Sequence, residues 1–213
     1  MKQGQNAITD IVFDLGNVLV AVNWDKAFER LLPHLPARMA EMMTHDLPRF
    51  KRLFHGPAIQ LETGRIDFTE FHRLMAGILD ARLAQGEFRD IWCCVFSMDE
   101  AMVSLGKSLS RTYRTWLASN TSRAHYKSIV EKFPDVVFYR AAALSYELGV
   151  MKPAARYYRK AMDLFGINAG SALFIDDLPE NVEGAIQAGL TGIVFRDRQE
   201  LLAEFGNLGI ELP

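Results

Sequence analysis

Hydrophobic patterning along the chain begins with a short unbroken apolar run, Ile11-Val12-Phe13, that ends in Asp14-Leu15-Gly16-Asn17. An apolar run bounded by turn residues reads as a strand buried on both faces, the kind found in parallel sheets. From about Trp24 to Trp92 the period changes. Phe28, Leu31, Leu32 and Leu35, then Met39, Met42 and Met43, then Phe68, Phe71, Leu74, Met75 and Ile78 recur at three- and four-residue steps. That is the spacing of amphipathic helices, and the stretch predicts a block of about four of them. Asp67 followed by Glu70 marks a capping box at the start of one helix, with Gly64 supplying the turn before it.

From Met98 onward the pattern alternates. Helices are expected over 99–112, 124–132, 154–165, 180–188 and 199–205, and strands over 115–118, 136–139, 172–175 and 192–195. With the run at 11–13 this makes five strands in βα order. The fold class it predicts is α/β: a Rossmann-like parallel sheet of five strands or slightly more, with helices on both faces. No repeat, low-complexity tract or long linker interrupts it.

Length sharpens this picture. The 213 residues correspond to roughly one and a half domains at ~150 residues each. Residues 1–20 and 98–213 suffice for one α/β core, and residues 21–97 are then a helical surplus inserted after the first strand. Composition adds exclusions. With 49% apolar and 23% charged residues the chain has the balance of a globular protein, not of a disordered or collagen-like one. A net charge of -2 gives no general attraction to nucleic acid or anionic lipid. No apolar run reaches the ~18 residues that span a bilayer. Residues 1–10 are polar and lack the apolar stretch of a signal peptide. Cys93 and Cys94 are adjacent, which suits neither a disulfide framework nor a metal knuckle. A reducing cytoplasm is the expected location, with the chain a monomer or homodimer.

In open α/β sheets ligands bind outside the carboxyl ends of the strands. Asp14 follows the first strand, Ser119-Asn120-Thr121 the second, Lys152-Pro153 a loop after the third, and Asp176-Asp177 the fourth. Adjacent carboxylates at the end of a buried strand are costly unless a cation neutralises them. Mg²⁺ fits that need, since it binds through one or two carboxylates, water and substrate phosphate. Asp14 can share such a metal and can also attack phosphorus, as carboxylates do in aspartyl-phosphate chemistry. Lys152 can hold Asp14 and clamp a transferring phosphoryl group. Ser119 and the amides around it can bind phosphate oxygens at a helix N-terminus. Each residue taken alone is an ordinary cap or turn. Four of them at four strand ends, in order, make a candidate site.

The four stretches Ile11-Val12-Phe13-Asp14-Leu15-Gly16-Asn17-Val18-Leu19, Trp116-Leu117-Ala118-Ser119-Asn120, Gly149-Val150-Met151-Lys152-Pro153 and Phe174-Ile175-Asp176-Asp177, with Asn181, Gly184, Ala185 and Gly189, carry a resemblance over nearly the whole chain. The sequence resembles the haloacid dehalogenase superfamily of Mg²⁺-dependent phosphohydrolases, in the subgroup with a helical cap inserted after the first strand. Asp-Leu-Gly-Asn at 14–17 and Glu62-Thr63-Gly64-Arg65-Ile66-Asp67 are similar to the bacterial sugar-1-phosphate (alpha-D-glucose-1-phosphatase) branch. The resemblance implies that Asp14 is nucleophile and metal ligand. It implies that Ser119, helped by the amide of Asn120, binds the phosphoryl oxygens, and that Lys152 stabilises the nucleophile and its phosphorylated form. Asp177 would ligate Mg²⁺ directly, Asp176 directly or through a neighbour, and Gly16 through its backbone carbonyl. The expected partner is a small phosphorylated metabolite, with no nucleic acid and no membrane.

The chain departs from the family pattern at Gly16, where most such phosphatases carry a second Asp as general acid and base. Such help is typically worth ~10²–10⁴-fold. Three readings accommodate the loss: a phosphatase acting on a good leaving group such as an anomeric phosphate, a metal-independent 2-haloacid dehalogenase, or a catalytically impaired phosphate-binding regulator. The pair Asp176-Asp177 argues against a metal-free enzyme. The remaining candidates read as structural. His34, His45, His55, His72 and His125 show no metal-ligand spacing, and the Met39, Met42, Met43 stripe suits a core. Trp24 and Asp25 fall at the expected hinge. Cys93 and Cys94 read as buried small hydrophobes. Arg49, Lys51 and Arg52 read as a solvated helix face that would steer phosphate only if it lined the cleft.

Overall fold

The apolar run at the start of the chain becomes a central strand because neither of its faces is polar. In the computed structural model, which describes residues 7–212, it forms β1 (Asp10–Phe13), and every residue of it is buried. Residues 1–6 and 213 of the expected core lie outside the described residues. β1 pairs in parallel with β4 (Arg114–Ser119) on one side and β6 (Ala172–Asp176) on the other. β5 (Ala142–Leu144) and β7 (Thr191–Val194) complete a five-stranded parallel sheet of order β5-β4-β1-β6-β7.

Strand residues alternate between two hydrophobic clusters, as the two-residue period of a strand requires. Ile11, Phe13, Leu173 and Ile175 join one cluster with Met102, Ile129, Leu201 and Phe205. Those four come from α6 (Glu100–Leu109), α7 (Arg123–Lys132) and α11 (Arg198–Leu208). Val12, Trp116 and Phe174 join the other cluster with Tyr157, Tyr158 and Ala185, from α9 (Ala155–Phe165) and α10 (Pro179–Gln187). A short α8 (Ser145–Leu148) follows β5. Both faces of the sheet are therefore covered by helices.

Between β2 (Val20–Val22) and β3 (Phe96–Met98) lie five helices: α1 (Asp25–Leu31), α2 (Ala37–His45), α3 (Leu47–Glu62), α4 (Phe68–Leu79) and α5 (Gln85–Trp92). Their shared interior is aromatic and sulfur-rich, with Phe50, Phe71 and Met75 fully buried and Phe54, Phe88 and Trp92 nearly so. Met39 and Met43 of the methionine stripe belong to this interior. Asp67 caps α4 by accepting from the Glu70 amide at 2.8 Å. The Glu70 carboxylate turns instead to Arg73, at 2.6 and 2.8 Å, so only half of the expected capping box forms.

Two features depart from the sequence reading. The strand expected over 136–139 is absent. Pro134 starts a 3-10 turn (Pro134–Val136), because its fixed φ and missing N–H suit a turn and not a ladder. Phe138 then packs its ring edge against Phe13 at 5.5 Å. The strand begins six residues after the expected start, from the less β-prone Ala142-Ala143-Leu144. Small side chains are admitted there because the Tyr157 hydroxyl donates to the Ala143 carbonyl at 2.7 Å, bringing α9 close. The second departure is the antiparallel pair β2·β3, which joins Val20 to Met98 and Val22 to Phe96 and so ties together the two chain segments that enter and leave the helices. Among the described residues no helix is long and apolar enough to cross a membrane.

Candidate active site

Three of the four expected strand-end groups are carboxylates or their counter-ion, and the sheet brings them together. β1 and β6 run in register, with Phe13 beside Ile175, so Asp14 and Asp176 leave the same edge one residue later. The backbone continues that pairing, since the Asp14 amide donates to the Ile175 carbonyl at 2.9 Å. Carboxylate oxygens of Asp14, Asp176 and Asp177 all lie within 4.8 Å of one another. Asp14 and Asp176 are buried and Asp177 is half-buried.

Lys152 is the counter-ion at the centre. Its Nζ donates to Asp176 Oδ2 at 2.6 Å and to the Ala118 carbonyl at 2.9 Å, and pairs with Asp14 Oδ1 at 2.9 Å. The lysine backbone is fixed by the second strand end. The Lys152 amide donates to Asn120 Oδ1 at 2.9 Å, and Asn120 Nδ2 returns a bond to the Lys152 carbonyl at 3.0 Å. Asn120 is thus a strut for the lysine loop. Ser119, the last residue of β4, is 2% exposed, and no hydrogen bond of its hydroxyl is found among the described residues. It remains available to an oxygen from outside the protein.

The two acids at the end of β6 have different surroundings. Asp176 accepts from the Leu178 amide at 2.9 Å and from Asn181 Nδ2 at 3.0 and 3.2 Å, besides Lys152, so both of its oxygens are engaged. Among the described residues Asp177 receives one bond, from Asn17 Nδ2 at 3.0 Å. Asn17 sits in the left-handed region at φ 53, which Asn tolerates better than most residues. Its other amide atom accepts from the Val22 amide at 3.1 Å, linking the loop after β1 to β2. Gly16, half-buried in that loop, bridges to Val20.

Electrostatics follow from this packing. Burial pushes Asp14 up to about 6, the positive charge of Lys152 opposes that, and nearby Asp176 adds to it. Burial presses Lys152 the other way, but Asp14 and Asp176 outweigh it and hold the lysine above its usual value, fully charged. Two or three carboxylates sharing one ammonium leave excess negative charge in a low-dielectric site. An oxygen donor set of this kind suits a small hard cation such as Mg²⁺.

Of the other residues considered in the sequence, His125 is the most constrained. It is buried, stacks on Trp92 at 5.0 Å and 14°, lies 6.0 Å from Trp24, and shares a 3.0 Å hydrogen bond with the Trp92 carbonyl through Nε2. Burial pulls it down to about 4, so it is neutral. Cys93 and Cys94 are only half-buried, against expectation, but burial still pushes the Cys93 thiol up to about 11, leaving it unreactive. Arg49, Lys51 and Arg52 are exposed, and Lys51 lines a cavity of about 200 Å³ with Trp24, Phe28, Phe54, His55, Glu62 and Trp92. Sequence spacing did not single out Glu62 and His55, which line this cavity with Lys51. Their steps from Lys51 along one helix, of three and four residues by way of Ala58, were the available signal.

Residues 10–189 match the haloacid dehalogenase-like hydrolase family. D-ribitol-5-phosphate phosphatase of Bacteroides thetaiotaomicron is 24% identical over 82% of this chain and 85% of its own length. A crystal structure of a haloacid dehalogenase family enzyme from the same organism superposes with a TM-score of 0.80 at 21% identity, covering 92% of this chain and 99% of that one. That enzyme has also been crystallised as the wild-type protein with magnesium and inorganic phosphate, with a TM-score of 0.77, 20% identity and the same coverage. With the family match spanning most of the sequence and the strand-end groups in place, this chain belongs to the haloacid dehalogenase-like hydrolases.

Proposed function

We propose that the protein is a Mg²⁺-dependent phosphatase that hydrolyses a small phosphomonoester through an aspartyl-phosphate on Asp14. The observation that carries this reading is one buried lysine bonded to two of three clustered carboxylates at the ends of the parallel strands. In this reading a carboxylate oxygen of Asp14 attacks phosphorus and the bond to the alcohol oxygen breaks. The alcohol leaves with a proton taken from water. A water molecule then attacks the same phosphorus, releasing inorganic phosphate and restoring Asp14. Lys152 balances the charge on Asp14 and on the phosphoryl oxygens, and Ser119 with the Asn120 amide binds those oxygens. Mg²⁺, held by Asp14, Asp177 and the Gly16 carbonyl, would neutralise phosphoryl charge. Asp176, with both oxygens already bonded, serves mainly to orient Lys152 and to add negative charge.

Residues 1–20 and 98–213 form the catalytic core in this reading, and residues 21–97 form a cap that covers the alcohol. Gly16 offers no side chain to protonate a leaving alkoxide, so the reading favours substrates whose leaving group is weakly basic, a sugar 1-phosphate above a 6-phosphate. Phosphatase activity of the ribitol-phosphate relative and the magnesium–phosphate complex of the structural neighbour support it. The carboxylate cluster also counts against a metal-independent dehalogenase, in which the single charge of Lys152 would have to offset all three acids. We place the protein in the cytoplasm, as a monomer or homodimer acting on a soluble metabolite, and the unpaired cysteines are consistent with that.

The test is p-nitrophenyl phosphate hydrolysis with and without Mg²⁺, alongside halide release from 2-chloropropionate without metal. Metal-dependent phosphate release that disappears in Asp14→Ala supports the phosphatase. Halide release in chelator, with no phosphate release, establishes the dehalogenase in its place.

A further inference from the structure

The tight turn after β1 carries a residue in a conformation that its type does not favour. Asn17 stands at φ 53, in the left-handed region, while Gly16 beside it lies outside that region. A glycine would adopt this conformation without steric cost, so a side chain kept at this position calls for a use. Asn17 is exposed, and packing does not hold its side chain. Two hydrogen bonds do.

Those bonds fix which way the amide faces. The Asn23 amide donates to the Val95 carbonyl at 2.8 Å, and the Asp99 amide donates to the Leu19 carbonyl at 3.0 Å. Such bonds alternate along an antiparallel pair, so the Val22 amide, one residue before Asn23, points away from β3. Asn17 Oδ1 accepts from it at 3.1 Å. With its oxygen engaged there, the side chain turns Nδ2, which can only donate, to Asp177 Oδ2 at 3.0 Å. The backbone amide of Asn17 closes the turn on the Val20 carbonyl at 2.7 Å. The Val22 bond is therefore the anchor, and the Asp177 bond is what the anchor holds in place.

What that bond does follows from charge and oxygen count. Lys152 pairs with Asp14 and Asp176, whereas Asp177 is held by an amide that brings no charge to cancel its own. The bond also engages one oxygen of Asp177 and leaves the other without a donor among the described residues. A carboxylate held in this way presents a single oxygen. Mg²⁺ suits that, because it demands near-octahedral contacts at ~2.0–2.1 Å. Ca²⁺ takes ~6–8 oxygens at ~2.3–2.6 Å and often uses both oxygens of one carboxylate. We propose that Asn17 is a positioning residue that presents Asp177 to the metal through one oxygen, and so sets the preference of the carboxylate centre for Mg²⁺ over Ca²⁺. The proposal rests on the metal assignment in the reading above, and deepens it by naming what selects the ion.

The experiment titrates Mg²⁺ and Ca²⁺ separately into metal-free wild type and Asn17→Gly by calorimetry, with thermal unfolding in chelator and p-nitrophenyl phosphate turnover alongside. Glycine keeps the left-handed backbone and deletes both side-chain bonds. Groups that orient a metal's ligands typically matter ~10–100-fold in affinity, so the Mg²⁺ Kd is expected to rise about tenfold. Asp177, freed to offer both oxygens, should hold Ca²⁺ within about twofold of wild type, and the preference for Mg²⁺ should fall by about tenfold. The variant should melt in chelator within a few degrees of wild type. A merely loosened turn would weaken both ions alike and leave their ratio unchanged. That result, or unchanged affinity for both ions, overturns the proposal, while Mg²⁺-dependent phosphate release by wild type keeps the phosphatase reading. Wild type that binds Ca²⁺ as tightly as Mg²⁺ also overturns it, whatever the variant does. A preference lost in Asn17→Gly, with no phosphate release by wild type, upholds the proposal and overturns the phosphatase reading. Wild type that takes up neither ion overturns both.

Discussion

Replacing Lys152 by methionine tests the centre with little change of shape and total loss of charge. The wild-type ammonium makes three contacts, with Asp14 Oδ1 at 2.9 Å, Asp176 Oδ2 at 2.6 Å and the Ala118 carbonyl at 2.9 Å. Removing one partner of a buried ion pair typically destabilises by about 3–5 kcal/mol. The lower end applies here, for two reasons. Asp14, already held near 6 by burial, can take up a proton, and Asp176 keeps its bonds from Leu178 and Asn181. A loss of about 3 kcal/mol in a protein of this size corresponds to a fall in melting temperature of about 6–12 °C. The assay is thermal unfolding in chelator and in Mg²⁺, with p-nitrophenyl phosphate turnover measured in parallel. In Lys152→Met the carboxylates have no protein cation, so Mg²⁺ should raise the melting temperature more than in wild type, while turnover falls by ~10² or more. A variant that melts with wild type in chelator, or that keeps its turnover, refutes the assignment of Lys152 as the counter-ion of the site.

Three further outcomes are expected. His125 titrates near 4 when folded and near 6.5 when unfolded, so the unfolded chain binds more protons between those values. Its contribution is fully present above about 6.5 and is lost as pH falls toward 4, by up to ~3 kcal/mol; wild type should therefore lose stability relative to His125→Phe across that window, and parallel unfolding curves would show the reading to be wrong. In Gly184→Ala the new Cβ would lie 2.7 Å from the Pro153 carbonyl, next to Lys152, so the variant should lose about 1–3 kcal/mol in chemical denaturation and lose turnover as well. Wild-type values for both would mean that the lysine loop moves freely. Gly16→Asp meets only Val22 Cγ2, at an ordinary 3.5 Å, and so should fold. By supplying the absent acid it should raise hydrolysis of an alkyl phosphate relative to p-nitrophenyl phosphate by ~10-fold or more, and an unchanged ratio would count against leaving-group basicity as the limit set by Gly16.

The parts legible in the sequence were those dictated by strand ends and helical period. Asp14, Ser119, Lys152 and Asp176-Asp177 are readable because each follows an apolar strand or its loop, and parallel topology must gather such ends. The strand over Ala142–Leu144 was not readable. Its alanines carry no β-preference, and Val136, Val137 and Phe138 next to them carry a strong one that Pro134 overrides. The pair β2·β3 escaped because each strand is three residues long, too short to show alternation. Asn120 as a strut for Lys152 depends on a contact between residues 32 apart, which no local pattern encodes.

The central claim is that the phosphoryl group passes through Asp14. Rapid acid quench of wild-type enzyme during turnover of p-nitrophenyl phosphate with Mg²⁺, followed by peptide mass spectrometry, tests it most directly. The account predicts one phosphoryl group on the peptide that contains Asp14, absent in Asp14→Asn and absent without metal. Phosphorylation of another residue, or sustained turnover with no phosphorylated enzyme at any quench time, would contradict it.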